Sequence, residues 1–299
     1  MRNLEITLSL GLCLALATAG CKEDKNEEED TAVDSEVDTP EDTTADTPED
    51  TPEDTTTDSP EDVPGDGECP PDDTTHIYIN VAGQVQHMAG GDVDGLYVAA
   101  ISPLDALTNP APTPIGTDVT ATDGTFAMPC INVAEVALGL VILVDDNPAD
   151  GVAGDLFPTG TGVKAWTLPV EKVDVLDATP FAVPNALVAG LEAAITGLDA
   201  ETNGMAMGLV VDGTTHAPID AAAVTVTSGA AVPVAYPNAT MTGLETDSNT
   251  SANGSFVITV PLTTIRVFTA TATGYTFGTH QAATKAGFIY FMIMAGTSG

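Results

Sequence analysis

Few side chains in this chain have chemistry to offer, and their spacing decides what that chemistry is. His76, His87, His216 and His280 are scattered. No His-Glu-x-x-His run sets two imidazoles on one helix face, no Gly-x-Ser-x-Gly elbow lifts a nucleophile, and no Gly-Lys-Ser/Thr loop cradles a phosphate. The densest knot of oxygen donors is Asp145-Asp146-Asn147 with Asp150-Gly151 and Asp155, the hard ligands that calcium takes. Its spacing is not that of an EF-hand and no Glu closes it, while Asp and Asn at a strand end are ordinary turn formers. The sequence therefore assigns no catalytic residue, no metal and no cofactor.

The elements that would position such groups begin with an exported leader. An apolar run from Ile6 to Ala17 follows Arg2 and ends in Thr18-Ala19-Gly20-Cys21. It is too short for a stable membrane span and reads as a cleaved signal. Its end resembles the lipobox of bacterial lipoproteins, which implies cleavage after Gly20, acylation of the Cys21 thiol, and a mature chain held at an outer membrane or cell surface by that lipid. Cys13 leaves with the signal. Cys69 and Cys130 then remain, and in an oxidising compartment a disulfide is the default for such a pair. It would pin the segment around Cys69 to the first domain, just after an inferred strand ending at Met128.

Between Cys21 and Asp73 almost no apolar side chain occurs, so this segment cannot bury a core. Thr39-Pro40-Glu41-Asp42 recurs at Thr47 to Asp50 and Thr51 to Asp54, and as Ser59-Pro60-Glu61-Asp62. Proline fixes φ and like charges repel, so a disordered, extended tether is predicted, reaching on the order of 150 Å at about 3.1 Å per residue. The whole chain carries 44 acidic against 7 basic residues. That balance excludes nucleic-acid binding, and an anionic lipid surface would repel it, which leaves covalent lipid as the route to a membrane.

From His76 onward short apolar or alternating segments are punctuated by Gly, Pro, Asn and Asp, the pattern of antiparallel sandwiches. Strands are predicted around Ile77 to Val85, Leu96 to Ile101, Asp118 to Thr122, Thr125 to Met128 and Val136 to Val144, the last covered on both faces. A second set runs through Met205 to Val211, Ala223 to Thr227, Thr240 to Thr246, Ser255 to Val260, Ile265 to Ala272 and Phe288 to Met294. Gly83-Gln84-Val85 leads to Thr122-Asp123-Gly124-Thr125-Phe126 much as Gly208-Leu209-Val210 leads to Ala252-Asn253-Gly254-Ser255-Phe256, which points to duplication. Between the sets, Leu187, Leu191, Ile195 and Leu198 mark one face of a helix over Pro184 to Thr202, with Asn185 as its cap.

The second set resembles the carboxypeptidase regulatory-like domains, a branch of the transthyretin-like and Cna-B-like sandwiches. The resemblance rests on Gly208 and Val210, on Ala217-Pro218-Ile219 before Ala223-Val224-Thr225-Val226, on Thr250 to Phe256, and on Thr271-Ala272-Thr273-Gly274-Tyr275. The first set lacks the Pro-Ile step and the closing Gly-Tyr and carries a long insertion from Leu104 to Ile115. The resemblance implies Greek-key sandwiches acting as adhesive, scaffolding or accessory modules without catalysis. Cna-B-like adhesins also form an isopeptide bond from a first-strand Lys. Neither first strand has one here, so no cross-link is expected and Lys164 and Lys285 read as surface residues.

The expected organisation is a signal peptide over 1–20, an acidic lipidated tether over 21–73, sandwiches over 74–183 and 204–299, and a helical connector over 184–203. The chain is thus predicted to be all-β, non-enzymatic and lipid-anchored in the cell envelope. Protein or glycan ligands and the oligomeric state stay open, as does the side of the membrane it faces. The alternative is a hydrolase or a glycan-recruiting accessory to an envelope enzyme, for which Trp166 would be the one aromatic platform.

Overall fold

In the computed structural model, which describes residues 69–109, 111–166, 170 and 172–299, the alternating segments form strands and the Ala-rich stretches form short helices. In chain order these are β1 (Tyr78–Gln84), β2 (Gln86–His87), β3 (Tyr97–Ile101), α1 (Pro103–Thr108), β4 (Gly116–Val119), β5 (Thr125–Asn132), β6 (Leu140–Asp145), β7 (Leu156–Phe157), β8 (Thr159–Lys164), β9 (Val175–Ala178) and β10 (Phe181–Pro184). Helices α2 (Asn185–Ala194) and α3 (Ala200–Asn203) follow, then β11 (Met205–Asp212), β12 (Ala223–Val226), β13 (Val234–Ala235), β14 (Ser255–Ile258), β15 (Arg266–Thr271), β16 (Tyr275–Phe277), β17 (His280–Ala282) and β18 (Ile289–Ser298). Cys21 and the repeats of the acidic segment lie outside the described residues.

The strands build two β-sandwiches, as the punctuated pattern predicts. In the first, a wall ordered β5-β1-β9 faces a wall ordered β4-β3-β6-β8. Ile79, Val81, Phe126 and Met128 on one side meet Val98, Ala100, Leu140, Ile142 and Val144 on the other. In the second, β14-β11-β18 faces β12-β15-β17. Val210, Phe256, Ile258 and Met292 meet Val224, Phe268 and Ala270. Each buried Val, Leu, Ile, Phe or Met among them contributes about 1.5–3 kcal/mol, so these layers, rather than polar contacts, hold the sandwiches together.

The two central triplets repeat one another in register. β1 runs antiparallel to β5 with Gly83 opposite Phe126, and parallel to β9. β11 runs antiparallel to β14 with Gly208 opposite Phe256, and parallel to β18. The turns before the phenylalanines also match: Asp123 and Asn253 each accept the N–H of the residue two on, and Gly124 and Gly254 take φ of +80° and +68°. A Cβ on Gly83 would collide with the Ala178 carbonyl and one on Gly208 with the Met292 carbonyl. Glycine at these sites lets the parallel neighbour approach, which gives the shared sequence signature a steric cause.

The sandwiches are not joined by the helices alone. β8, the edge of the first sandwich, pairs in parallel with β18 of the second, Ile289 to Phe291 against Thr159 to Thr161. One continuous sheet, β13-β14-β11-β18-β8-β6-β3-β4 with β16 beside β18, thereby supplies a wall to both sandwiches. Its other face is covered too. Val188, Leu191, Ile195 and Leu198 of the connector pack on Met205, Met207, Val257, Ile289 and Phe291, while Ala106 of α1 packs with Ala99, Ile101, Val141 and Phe288. Coverage on both faces explains why Leu140 to Val144 of β6 and Phe256 to Ile258 of β14 are unbroken apolar runs.

Several sequence expectations are corrected. The apolar run at Val136 becomes a strand only at Leu140, because Leu138 and Gly139 take φ of +72° and +126°. Thr240 to Thr246 is a closed loop rather than a strand: Asn238 Oδ1 accepts the Thr242 N–H and the Thr240 hydroxyl, and Met241 sits at φ +58°. The connector breaks after Ala194 and restarts at Ala200, where Asp199 accepts the Thr202 N–H as N-cap. Asn185 caps nothing. Its side-chain amide donates to the carbonyls of Val152, Gly154 and Leu156, and so ties the 146–156 loop to the first turn of α2. Among the described residues, no helix is long and apolar enough to cross a membrane.

Candidate functional site

Where the described chain begins, it is clamped to the first sandwich. Cys69 is bonded to Cys130, with the two Cα atoms 5.2 Å apart. Cys130 lies inside β5 rather than after it, at a bulge where the register with β1 slips between Ile79 and Val81. The bulge puts Cys130 at φ +54°, with its N–H donating to Asn80 Oδ1. Asn80 is itself held, since its N–H donates to Asp174 on the approach to β9. Asp72 pairs with Lys172 at 2.8 Å and accepts the Tyr78 N–H, and the Lys172 contact first, then the Tyr78 bond, hold its carboxyl below the usual range. Asp73 closes a turn by accepting from the backbone of Thr75 and His76 and meets the His76 ring at 2.9 Å. His76 is therefore part of the clamp.

A cleft of about 410 Å³ opens beside the joint, within the range of small-ligand sites. Its apolar floor includes Leu140, Val175 and Met292, and its polar groups include Asp177, His280, Gln281 and the Tyr290 hydroxyl. Burial lowers the His280 pKa and pushes the Tyr290 phenol up to about 12, so at neutral pH both present uncharged groups. The other imidazoles lie elsewhere: His76 in the clamp, His87 on β2, and His216 in the turn after β11 at φ +59°. The cleft thus joins one histidine, His280, to one acid, Asp177, and holds none of the other three imidazoles. Trp166 is packed at the edge of the first core and donates its Nε1–H to the Val136 carbonyl at 2.6 Å. Lys164 is exposed, but Lys285 is no surface residue: half-buried, it donates to the Asn109 carbonyl, with its ammonium 6.0 Å from the Phe288 ring centre.

The acidic knot takes a definite geometry. Asp145 ends β6 inside the shared sheet, opposite Tyr97, and is only 3 % exposed. Carboxylate oxygens of Asp145, Asp146 and Asp150 lie within 4.8 Å of one another. Asp146 Oδ2 accepts the Asp155 N–H at 2.6 Å, while Asn147 donates its amide to Asp150 Oδ2. Oδ1 of Asp145 and Oδ1 of Asp146 are buried and accept no hydrogen bond. Burial, and next the adjoining Asp146 carboxyl, push Asp145 up to about 7. Spacing in the sequence flagged these residues; the burial that distinguishes Asp145 comes from the helix-covered sheet and left no local mark.

No protein-family model matches the chain, and no curated protein matches it in sequence. Among solved structures, the chain is similar to the shaft pilin SpaA of Lactobacillus rhamnosus GG, at 10% identity over 75% of this chain and 98% of that one, with a TM-score of 0.25. It is also similar to the minor pilin GBS52 of Streptococcus agalactiae, at 11% identity over 74% of this chain and 96% of that one, with a TM-score of 0.24. At these values neither likeness bears on ligand or role.

Proposed function

We propose that this protein is a non-enzymatic binding or scaffolding module of the cell envelope, lipid-anchored through Cys21 and carried on the acidic segment as a spacer. The observation that carries the reading is the clamp at Cys69: the acidic segment ends in a disulfide to β5, a hydrogen bond from β1 and an ion pair with Lys172 on the approach to β9. A tether that bears load needs such a fixed end. The lipid supplies location, the spacer supplies reach, and the loops at the sandwich ends with the cleft supply contact surface. The matched registers around Gly83 and Gly208 support reading both halves as one duplicated sandwich of the carboxypeptidase regulatory-like type.

Mass spectrometry of the mature protein is expected to find a diacyl- or triacyl-modified Cys21 as the first residue, and Cys21→Ser to move the protein from the membrane to the soluble fraction. An unmodified thiol or another start would overturn the anchoring. Protease shaving of intact cells is expected to release a fragment starting near Cys69, and resistance would place the module on the inner side of the envelope. The cleft favours a second reading, a glycan-recruiting accessory, because hydroxyl, imidazole, amide and carboxylate groups line it together with apolar side chains. Saturable binding to a cell-wall glycan that Gln281→Ala weakens would support it.

A further inference from the structure

We propose that Asp145, Asp146 and Asp150 form a calcium site at the end of β6. An acidic cluster alone would say little, since exposed carboxylates gather in many loops. Here Asp145 is 3 % exposed and directed into the cluster, and Oδ1 of both Asp145 and Asp146 is buried without a hydrogen-bond partner. Asp145 and Asp146 meet carboxyl to carboxyl, and a cation bound at their two partnerless buried oxygens would neutralise both together with the third carboxylate. The described ammonium and guanidinium groups are engaged elsewhere or belong to other elements: Lys172 pairs with Asp72, Lys285 with the Asn109 carbonyl, and Lys164 and Arg266 lie on β8 and β15.

The donor set suits calcium: hard carboxylate oxygens on a loop, with waters free to fill the remaining positions, match its flexible oxygen coordination, whereas magnesium demands a near-ideal octahedron. The loop is also built around this arrangement. Gly154 leaves room that a Cβ would deny, since it would stand 2.5 Å from the Asp146 carboxylate. The Asp155 N–H fixes Asp146, and the Asn185 amide holds the returning carbonyls against α2. Waters complete a coordination sphere that three side chains leave open. A bound ion would thereby join the end of β6, the 146–156 loop and the connector helix.

The test compares the full mature chain with Asp145→Asn and Asp150→Asn in thermal unfolding and calorimetric titration with calcium, then magnesium. The acidic segment gives every variant the same weak background. Wild type is expected to show one additional site with a dissociation constant of about 0.1–1 mM, the range of extracellular modules, and a rise in Tm of about 5 °C at 10 mM calcium. Both variants should lose the site and the rise. Asp150 is exposed, so its substitution tests the ligand without disturbing the core. A calcium response equal in wild type and both variants, or none in wild type, would overturn the proposal, and an equal response to magnesium would overturn the choice of ion. None of these outcomes depends on whether Cys21 is acylated.

Discussion

At the residue scale, position in the fold decides what each unusual side chain does. Gly208 is needed because the Met292 carbonyl occupies the space of a Cβ, so Gly208→Ala is expected to destabilise the second sandwich by about 2–4 kcal/mol in urea titrations. Gly190, on the exposed face of α2 with open space around it, should become slightly more stable as Ala. The Cys69–Cys130 bond closes a 61-residue separation, for which chain entropy gives about 4 kcal/mol. Chemical unfolding with and without reductant should show a loss of that order. His280 supplies a pH handle. Burial lowers its pKa below the ordinary 6.5, so the unfolded chain takes up the proton first. The stability that its neutral form contributes is complete above about 6.5 and is lost as pH falls through the folded value. Urea midpoints at pH 7.5 and pH 5 should therefore drop less in His280→Gln than in wild type; equal drops would refute the assignment.

At the element scale, legibility in the sequence followed periodicity and turn chemistry. Strands with alternating or fully apolar residues, such as β1, β3, β11 and β18, were readable because the period of two is written directly in the chain. The Asp-Gly and Asn-Gly turns were readable because those residues tolerate positive φ. β8 was not: Thr159-Gly160-Thr161-Gly162 has the composition of a loop, and it is a strand only because Phe288 and Tyr290 fill the space above its glycines. Thr240 to Thr246 misled in the opposite way, its β-favouring threonines being overruled by the Asn238 side chain. Cys69 and Cys130 could be paired by elimination, whereas the cleft around His280 is made by strands far apart in sequence and had no signature. Gly160→Val is expected to prise β8 from β18, because its side chain would enter the Phe288 ring. Hydrogen exchange should then show the amides of Ile289 and Phe291, which face β8, losing protection while that of Tyr290, which faces β11, and those of β12 and β15 keep theirs.

At the scale of the whole molecule, the shared sheet makes two sandwiches mechanically one. Separate domains on a linker would melt in two steps. With β18 paired to β11 along eight residues and to β8 along three, and with α2 packed across the same sheet, calorimetry should give a single cooperative transition. Gly160→Val should split it into two. Pulling on the acidic segment would load the disulfide and β1 first, and the joint only afterwards.

The parallel pairing of β8 with β18 also sets a schedule. More than a hundred residues separate the two partners, and β18 is the later of the two to emerge from any secretion channel. Until it arrives, β8 keeps a bare rim and the first sandwich lacks its neighbour. A protein threaded across a bilayer N-terminus first would thus finish assembling only after transit, and anything that binds a naked strand could hold it open in the meantime.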